Sequence, residues 1–304
     1  MVASAPAAVG GLLYSLIHLG GFAGDLAFYT AQCDGASRVV EFGCGDGRIA
    51  AALCLGEAPL TALQQQQQTP PPPPREPETP SARPAAYAAV ELYPEFVEQA
   101  RAKLAEAATL DVDIVCADFL EPLPPRWSES FDAAVVSSNT LFCTAQHQQL
   151  LERCADSLAP DGLLLLDVYN AMPWHEDASV IEIGADEEAD GEEEAPEEAS
   201  DLLVVVEDES GREWSVYERE VDVDAAKQRI ACHYDFLEGG GSGEAVSETV
   251  LHHYLTPEQL VYALDKAGFA IEALNGGFGG EAFDPQESEH LCVVARRKGK
   301  GEAA

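Results

Sequence analysis

Hydrophobic and polar positions along this chain switch between two periods. Short apolar runs at Arg38–Phe42, Tyr87–Glu91, Val112–Cys116, Phe131–Ser137 and Leu163–Val168 read as strands. The last is an apolar run suited to a sheet centre covered on both faces. Between the strands the period lengthens to that of a helix, over Gly47–Leu55, Glu95–Ala107 and Gln146–Leu158. In the second of these Phe96, Val97, Ala100 and Leu104 share one face, and Pro94 stands at the first turn, where a missing N–H costs nothing. Pro160 and Gly162 are expected to end the third. Strands alternating with helices predict a doubly wound α/β sheet.

The pattern changes after Val168. Val204–Val206, Trp214–Val223, Gln228–Leu237 and Thr249–Tyr254 alternate as antiparallel strands do, with Asp224-Ala225-Ala226-Lys227 as a hairpin turn. Thr256-Pro257-Glu258 starts another helix that runs through Lys266 to Gly268, and Phe269–Leu274 and Leu291–Arg296 close the sheet. The expected fold is a Rossmann-like, seven-stranded, mostly parallel sheet with a small antiparallel β lid inserted after strand 5. The expected division is N-terminal cap helices over 1–34, a core of 35–172 and 256–298, and a lid over 173–255.

Two segments read as insertions. Residues 63–84 carry Gln64 to Gln68 and then Pro70 to Pro74, a composition that cannot build a packed core and is expected to be disordered or polyproline II. Residues 186–201 are dominated by Glu and Asp and read as a solvated loop. Neither interrupts a motif.

Charge narrows the possible partners. The formal net charge is −37, with 17 basic residues. Nucleic-acid binding depends on neutralising phosphates with Lys and Arg, so a nucleic-acid partner is not expected and a small-molecule or peptide substrate is. No apolar run approaches the ~20 residues that a membrane-spanning helix needs. No Lys or Arg precedes Arg38, which argues against a secretory or transit signal. The eight cysteines contain no C-x-x-C pair, no metal site is expected, and their positions in predicted strands suggest reduced thiols in the cytoplasm.

The chemistry concentrates at the end of the first strand. Glu41-Phe42-Gly43-Cys44-Gly45-Asp46-Gly47-Arg48 is a strand entering a tight glycine turn and then a helix, which leaves backbone N–H groups open to a ligand. A dinucleotide site would want its third small residue at position 48, which is Arg48. The acid two positions before Gly43 and a third glycine at 47 resemble motif I of the class I S-adenosylmethionine-dependent methyltransferases. Glu91 ends the second strand, Cys116-Ala117-Asp118-Phe119 follows the third, and Ser137-Ser138-Asn139-Thr140-Leu141-Phe142 follows the fourth. The resemblance implies S-adenosylmethionine as cofactor, with Glu41, Gly43, Cys44, Gly45 and Gly47 around its methionine part. It further implies Glu91 and Leu92 at the ribose, Asp118 and Phe119 at the adenine, and Ser137 beside the methyl group.

A narrower resemblance covers the ends of the chain. Tyr14-Ser15-Leu16-Ile17-His18, Gly24-Asp25-Leu26-Ala27-Phe28-Tyr29, Leu166-Asp167-Val168-Tyr169-Asn170 and His253 to Leu260 are similar to segments of a small-molecule subgroup. That subgroup contains sugar N,N-dimethyltransferases and glycine or sarcosine N-methyltransferases. Tyr14, Tyr29, Asn139 and Phe142 are then the substrate-side candidates, and His18 and His175 the candidate bases or substrate contacts. Where relatives often carry an aromatic-His pair after strand 4, this chain has Asn139-Thr140-Leu141-Phe142. The function implied is methyl transfer to N or O of a small metabolite. A protein or peptide methyltransferase and a catalytically inactive interaction module stay open as alternatives.

Overall fold

The computed structural model describes residues 21–56, 83–105, 107, 109–176, 201–207, 212–239 and 245–299. Tyr14, His18, the glutamine and proline runs and nearly all of the acidic segment lie outside the described residues. The chain divides into two compact units, and the larger contains 21–60, 68–170 and 255–304.

In the larger unit, β1 (Arg38–Phe42), β2 (Ala86–Glu91), β3 (Asp111–Cys116), β4 (Phe131–Val136) and β5 (Leu158–Tyr169) run parallel. With β10 (Phe269–Asn275) and β11 (His290–Arg297) they form a seven-stranded sheet in the order β10-β11-β5-β4-β1-β2-β3. Only β11 runs against its neighbours. The expected mostly parallel sheet is therefore the observed one. The order reverses between β4 and β1, and a doubly wound sheet opens its ligand crevice outside the carboxyl ends at such a point.

Strand alternation decides which side chains meet which helices. Val39, Tyr87, Ala89, Ala133, Val135 and Leu165 face one side. There they pack on Phe28 and Tyr29 of α1 (Asp25–Gln32), Ile49 and Leu53 of α2 (Arg48–Leu55) and Val97, Ala100 and Leu104 of α3 (Pro94–Leu104). Leu150, Leu151 and Cys154 of α4 (His147–Ser157) are fully buried against β4 and β5. Alpha-helix α5 (Pro257–Lys266) packs against α4 and β10. Its start is a capping box, in which Thr256 Oγ1 accepts the Gln259 N–H and Gln259 Oε1 accepts the Thr256 N–H.

One expected stop signal works differently. Helix α4 ends at Ser157, and Leu158 already pairs with Phe131. Pro160 and Gly162 lie inside the opening of β5, where the register shifts between Phe131 and Ala133. A proline is tolerated there because the shifted stretch leaves a ladder donor unneeded.

The smaller unit holds residues 171–254. Its strands β6 (Asp201–Glu207), β7 (Glu213–Asp224), β8 (Arg229–Glu238) and β9 (Val246–His253) form an antiparallel sheet in chain order. Val206, Trp214, Val216, Tyr234 and Phe236 make its core.

Candidate functional site

The glycine turn follows β1 directly, and its three glycines serve different ends. Gly43, Gly45 and Gly47 take φ of 75°, 53° and 85°, where L side chains are strained. A Cβ on Gly43 would stand 2.8 Å from Thr140 Cγ2, and one on Gly47 2.9 Å from Ala100 Cα. These two glycines let the turn press against the loop after β4 and against α3. Around Gly45 no described residue lies within 4 Å of where a Cβ would be, so among the described residues this side of the turn is open.

Glu91 ties the turn to the next strand. Its Oε2 accepts the Gly45 N–H at 2.9 Å and its Oε1 accepts the Tyr93 N–H at 3.0 Å. Burial raises its pKa against the pull of those N–H groups. Each carboxylate oxygen keeps a lone pair for a further donor. Leu92 beside it is exposed. Asp118, exposed after β3, accepts the Leu120 N–H at 2.8 Å, and Phe119 next to it is half-buried.

Glu41 lies beneath the turn. It is 1% exposed, accepts the Tyr87 hydroxyl at 2.5 Å and faces Ser137 Oγ at 3.3 Å. Burial pushes its pKa up to about 8, the Tyr87 and Ser137 hydroxyls and Arg48 opposing it. At this burial Glu41 presents almost no surface to a ligand. Cys44 is buried, and burial raises its thiol pKa as well.

The loop after β4 carries an unusual backbone. Ser138 and Asn139 both take positive φ, 52° and 62°. Three bonds hold this shape. Asp167 Oδ1 accepts the Ser138 N–H at 2.9 Å, Asn139 Oδ1 accepts the Tyr169 N–H at 2.7 Å, and the Asn139 N–H reaches the Asp167 carbonyl at 3.3 Å. Ser137, Asn139 and Phe142 are buried, Phe142 with its ring edge-on to Tyr169.

Two expected substrate contacts change meaning. Tyr29 is 0% exposed and donates its hydroxyl to Asp167, so it is a core residue that joins α1 to β5. Phe142, also fully buried, packs the loop and presents no surface. His175 belongs to the smaller unit, with Nδ1 2.8 Å from the Tyr254 hydroxyl. The sequence assigned no supporting role to Tyr87, Thr140, Asp167 or the Arg48–Asp25 pair, which is buried at 2.6 Å. A signal existed for Asp167, a lone acid inside an apolar strand, since such groups are buried with partners or not at all.

The assembly suits the cofactor that the glycine motif implies. The open flank of Gly45 leaves room a Cβ would fill. Glu91 has acceptor capacity at the strand end, and an exposed carboxylate at Asp118 sits beside the half-buried ring of Phe119.

Comparisons with known proteins agree with this arrangement. A family model described as a methyltransferase domain matches residues 78–166. No curated protein matches the chain. Among solved structures, an S-adenosylmethionine-dependent methyltransferase from Clostridium acetobutylicum superposes with a TM-score of 0.63 at 12% identity, covering 94% of this chain and 98% of that one. The CcbJ methyltransferase from Streptomyces caelestis gives 0.59 at 18% identity, covering 91% and 90%. CalS10 from Micromonospora echinaspora, an amino pentose methyltransferase solved with S-adenosylmethionine bound, gives 0.55 at 17% identity, covering 94% and 97%. At these identities the likeness is one of fold.

Proposed function

We propose that this chain, a class I S-adenosylmethionine-dependent methyltransferase, moves the cofactor's methyl group to a nitrogen or oxygen of a small metabolite. The observation that carries the reading is the glycine turn at the switch point, open at Gly45 and bonded through its N–H to Glu91. When bound, the cofactor supplies a methyl group on a sulfonium, already a strong electrophile.

The protein's own work is then positioning. In this reading the turn from Gly43 to Gly47 holds the methionine part, Glu91 accepts ribose hydroxyls, and Asp118 with Phe119 receives the adenine. Ser137, Asn139 and Thr140 border the methyl group. In-line placement and exclusion of water account for most of the rate in such a transfer. A neutral amine acceptor needs no base, whereas a hydroxyl does.

A small acceptor is supported by the charge. A chain at −37 is unsuited to gripping phosphates. The amino pentose named for CalS10 is one example of the class, on a protein of the same fold. Among the described residues no helix is long and apolar enough to cross a membrane. A cytosolic setting is part of the reading and rests on cysteine usage, with Cys33, Cys44, Cys54, Cys154 and Cys292 buried as small apolar groups.

The test is incubation of the protein with methyl-labelled S-adenosylmethionine and a metabolite extract, followed by identification of the labelled product. Label in a small molecule supports the reading. Label confined to protein, or to nothing, contradicts it.

A further inference from the structure

Asp167 touches both the helix before β1 and the loop after β4. Its Oδ1 accepts two donors, the Tyr29 hydroxyl from α1 and the Ser138 N–H. Its Oδ2 is buried and has no hydrogen-bond partner among the described residues. Arg48, the first residue of α2, grips Asp25 of α1 through two nitrogens and comes within 3.5 Å of Ser138 Oγ. Ser138 is therefore approached at two atoms from two elements, β5 at its N–H and α2 at its hydroxyl. It is also the first of two consecutive residues in the left-handed region, a strain that persists only when the surroundings hold it. The next residue but one, Thr140, packs on Gly43 of the cofactor turn.

We propose that Asp167 is a positioning residue for methyl transfer, fixing the loop of Ser137 to Thr140 against the glycine turn through the Ser138 N–H, with Tyr29 anchoring the carboxylate. This rests on the reading of that loop and turn as the methyl-transfer site. Asp167 acts through Ser138 and touches neither cofactor nor acceptor, being 1% exposed.

The bonding pattern makes the hold depend on protonation. A proton on Asp167 goes to Oδ2, the oxygen with no donor, and leaves both Oδ1 bonds in place but without the charge. A hydrogen bond to an ionised acceptor is stronger than one to a neutral acceptor by roughly 1 kcal/mol, about fivefold in an equilibrium. Burial pushes the Asp167 pKa up to about 6, opposed by the Tyr29 and Ser138 donors and by Arg48 and reinforced by Asp25. Cys292 of β11, paired in register with Asp167, is a further titratable group among the described residues that faces it, and its thiol pKa is raised far beyond this range. The hold is therefore full above the midpoint and weakened below it.

Hydrogen exchange of the peptide spanning residues 137–143, corrected for intrinsic rates between about pH 5 and pH 8, reads this directly on the full chain. S-adenosylhomocysteine affinity, measured by calorimetry over the same range, reads its effect on the site. Wild type should gain about fivefold in protection and in affinity on passing upward through the midpoint. Tyr29→Phe, which removes a donor to the carboxylate, should move the midpoint upward. Asp167→Asn, which keeps an Oδ1 acceptor but cannot ionise, should lose the midpoint near pH 6. A wild-type profile without that midpoint, its survival in Asp167→Asn, its staying put in Tyr29→Phe, or a loop that titrates near pH 6 while affinity does not would overturn the proposal. Failure of the cofactor reading looks different: no S-adenosylhomocysteine binding at any pH.

Discussion

Glu91 and Gly45 are joined by a hydrogen bond of 2.9 Å from the glycine N–H to the carboxylate. One acid thus shapes the turn after β1 and, in the proposed function, meets the ribose. Glu91→Ala should lower S-adenosylhomocysteine affinity by about tenfold or more, since two kinds of contact go together, while stability falls by roughly 1–2 kcal/mol for the orphaned N–H groups. Calorimetric titration beside a denaturant melt separates the two effects. Unchanged affinity in a folded variant would count against the assignment.

Gly45→Ala asks a cleaner question. Its φ of 53° makes any side chain strained, by about 1–2 kcal/mol, yet no described residue meets the added methyl. The variant should fold with that modest loss. Its affinity for S-adenosylhomocysteine should fall about tenfold or more, because the methyl occupies the open flank. A folded Gly45→Ala protein that binds as well as wild type would show that the ligand does not approach there.

Glu41 sets a pH dependence of stability. Its carboxyl titrates at about 8 in the folded protein, against 4.5 ordinarily. Between those values the folded state keeps a proton that the unfolded state has released, so stability falls as pH rises through the window. The slope from one such group is at most about 1.4 kcal/mol per pH unit. Glu41→Gln keeps an acceptor for the Tyr87 hydroxyl and removes the titration. Denaturant melts should show a flatter profile for the variant and higher relative stability at the alkaline end. Comparison with wild type cancels the general repulsion of a chain at −37. Parallel profiles would refute the assignment.

The Asp25–Arg48 pair is buried and bidentate, at 3.0 Å and 2.6 Å. Asp25→Ala leaves the guanidinium without its counter-charge and should cost about 3–5 kcal/mol. Asp25 also accepts the Phe22 and Leu26 N–H groups, so the start of α1 loosens with it. A loss under about 1 kcal/mol, the scale of an exposed pair, would mean that water reaches the site.

Much of the fold was legible because its cues are local. The alternation of apolar strands with helical periods, Pro94 at a helix start and the shift to period two after Val168 each report nearby backbone, and the seven-stranded sheet with a separate antiparallel sheet followed from them. Pro160 misled because a helix stop and a shifted strand opening look alike without the partner strand. The glycine spacing marked the turn correctly, but not why each glycine is there: Thr140 and Ala100, far off in sequence, decide that for Gly43 and Gly47. The resemblance implied Tyr29 and Glu41 as site contacts. Their faces govern them instead, since Glu41 follows Val39 at strand period and points into the same core, where Tyr87 meets it.

If the turn from Gly43 to Gly47 holds S-adenosylmethionine, calorimetric titration of S-adenosylhomocysteine into the full chain should show saturable binding at one site, weakened in folded Gly45→Ala and Glu91→Ala proteins. Absence of binding to wild type, or equal binding by both variants, would rule that role of the turn out.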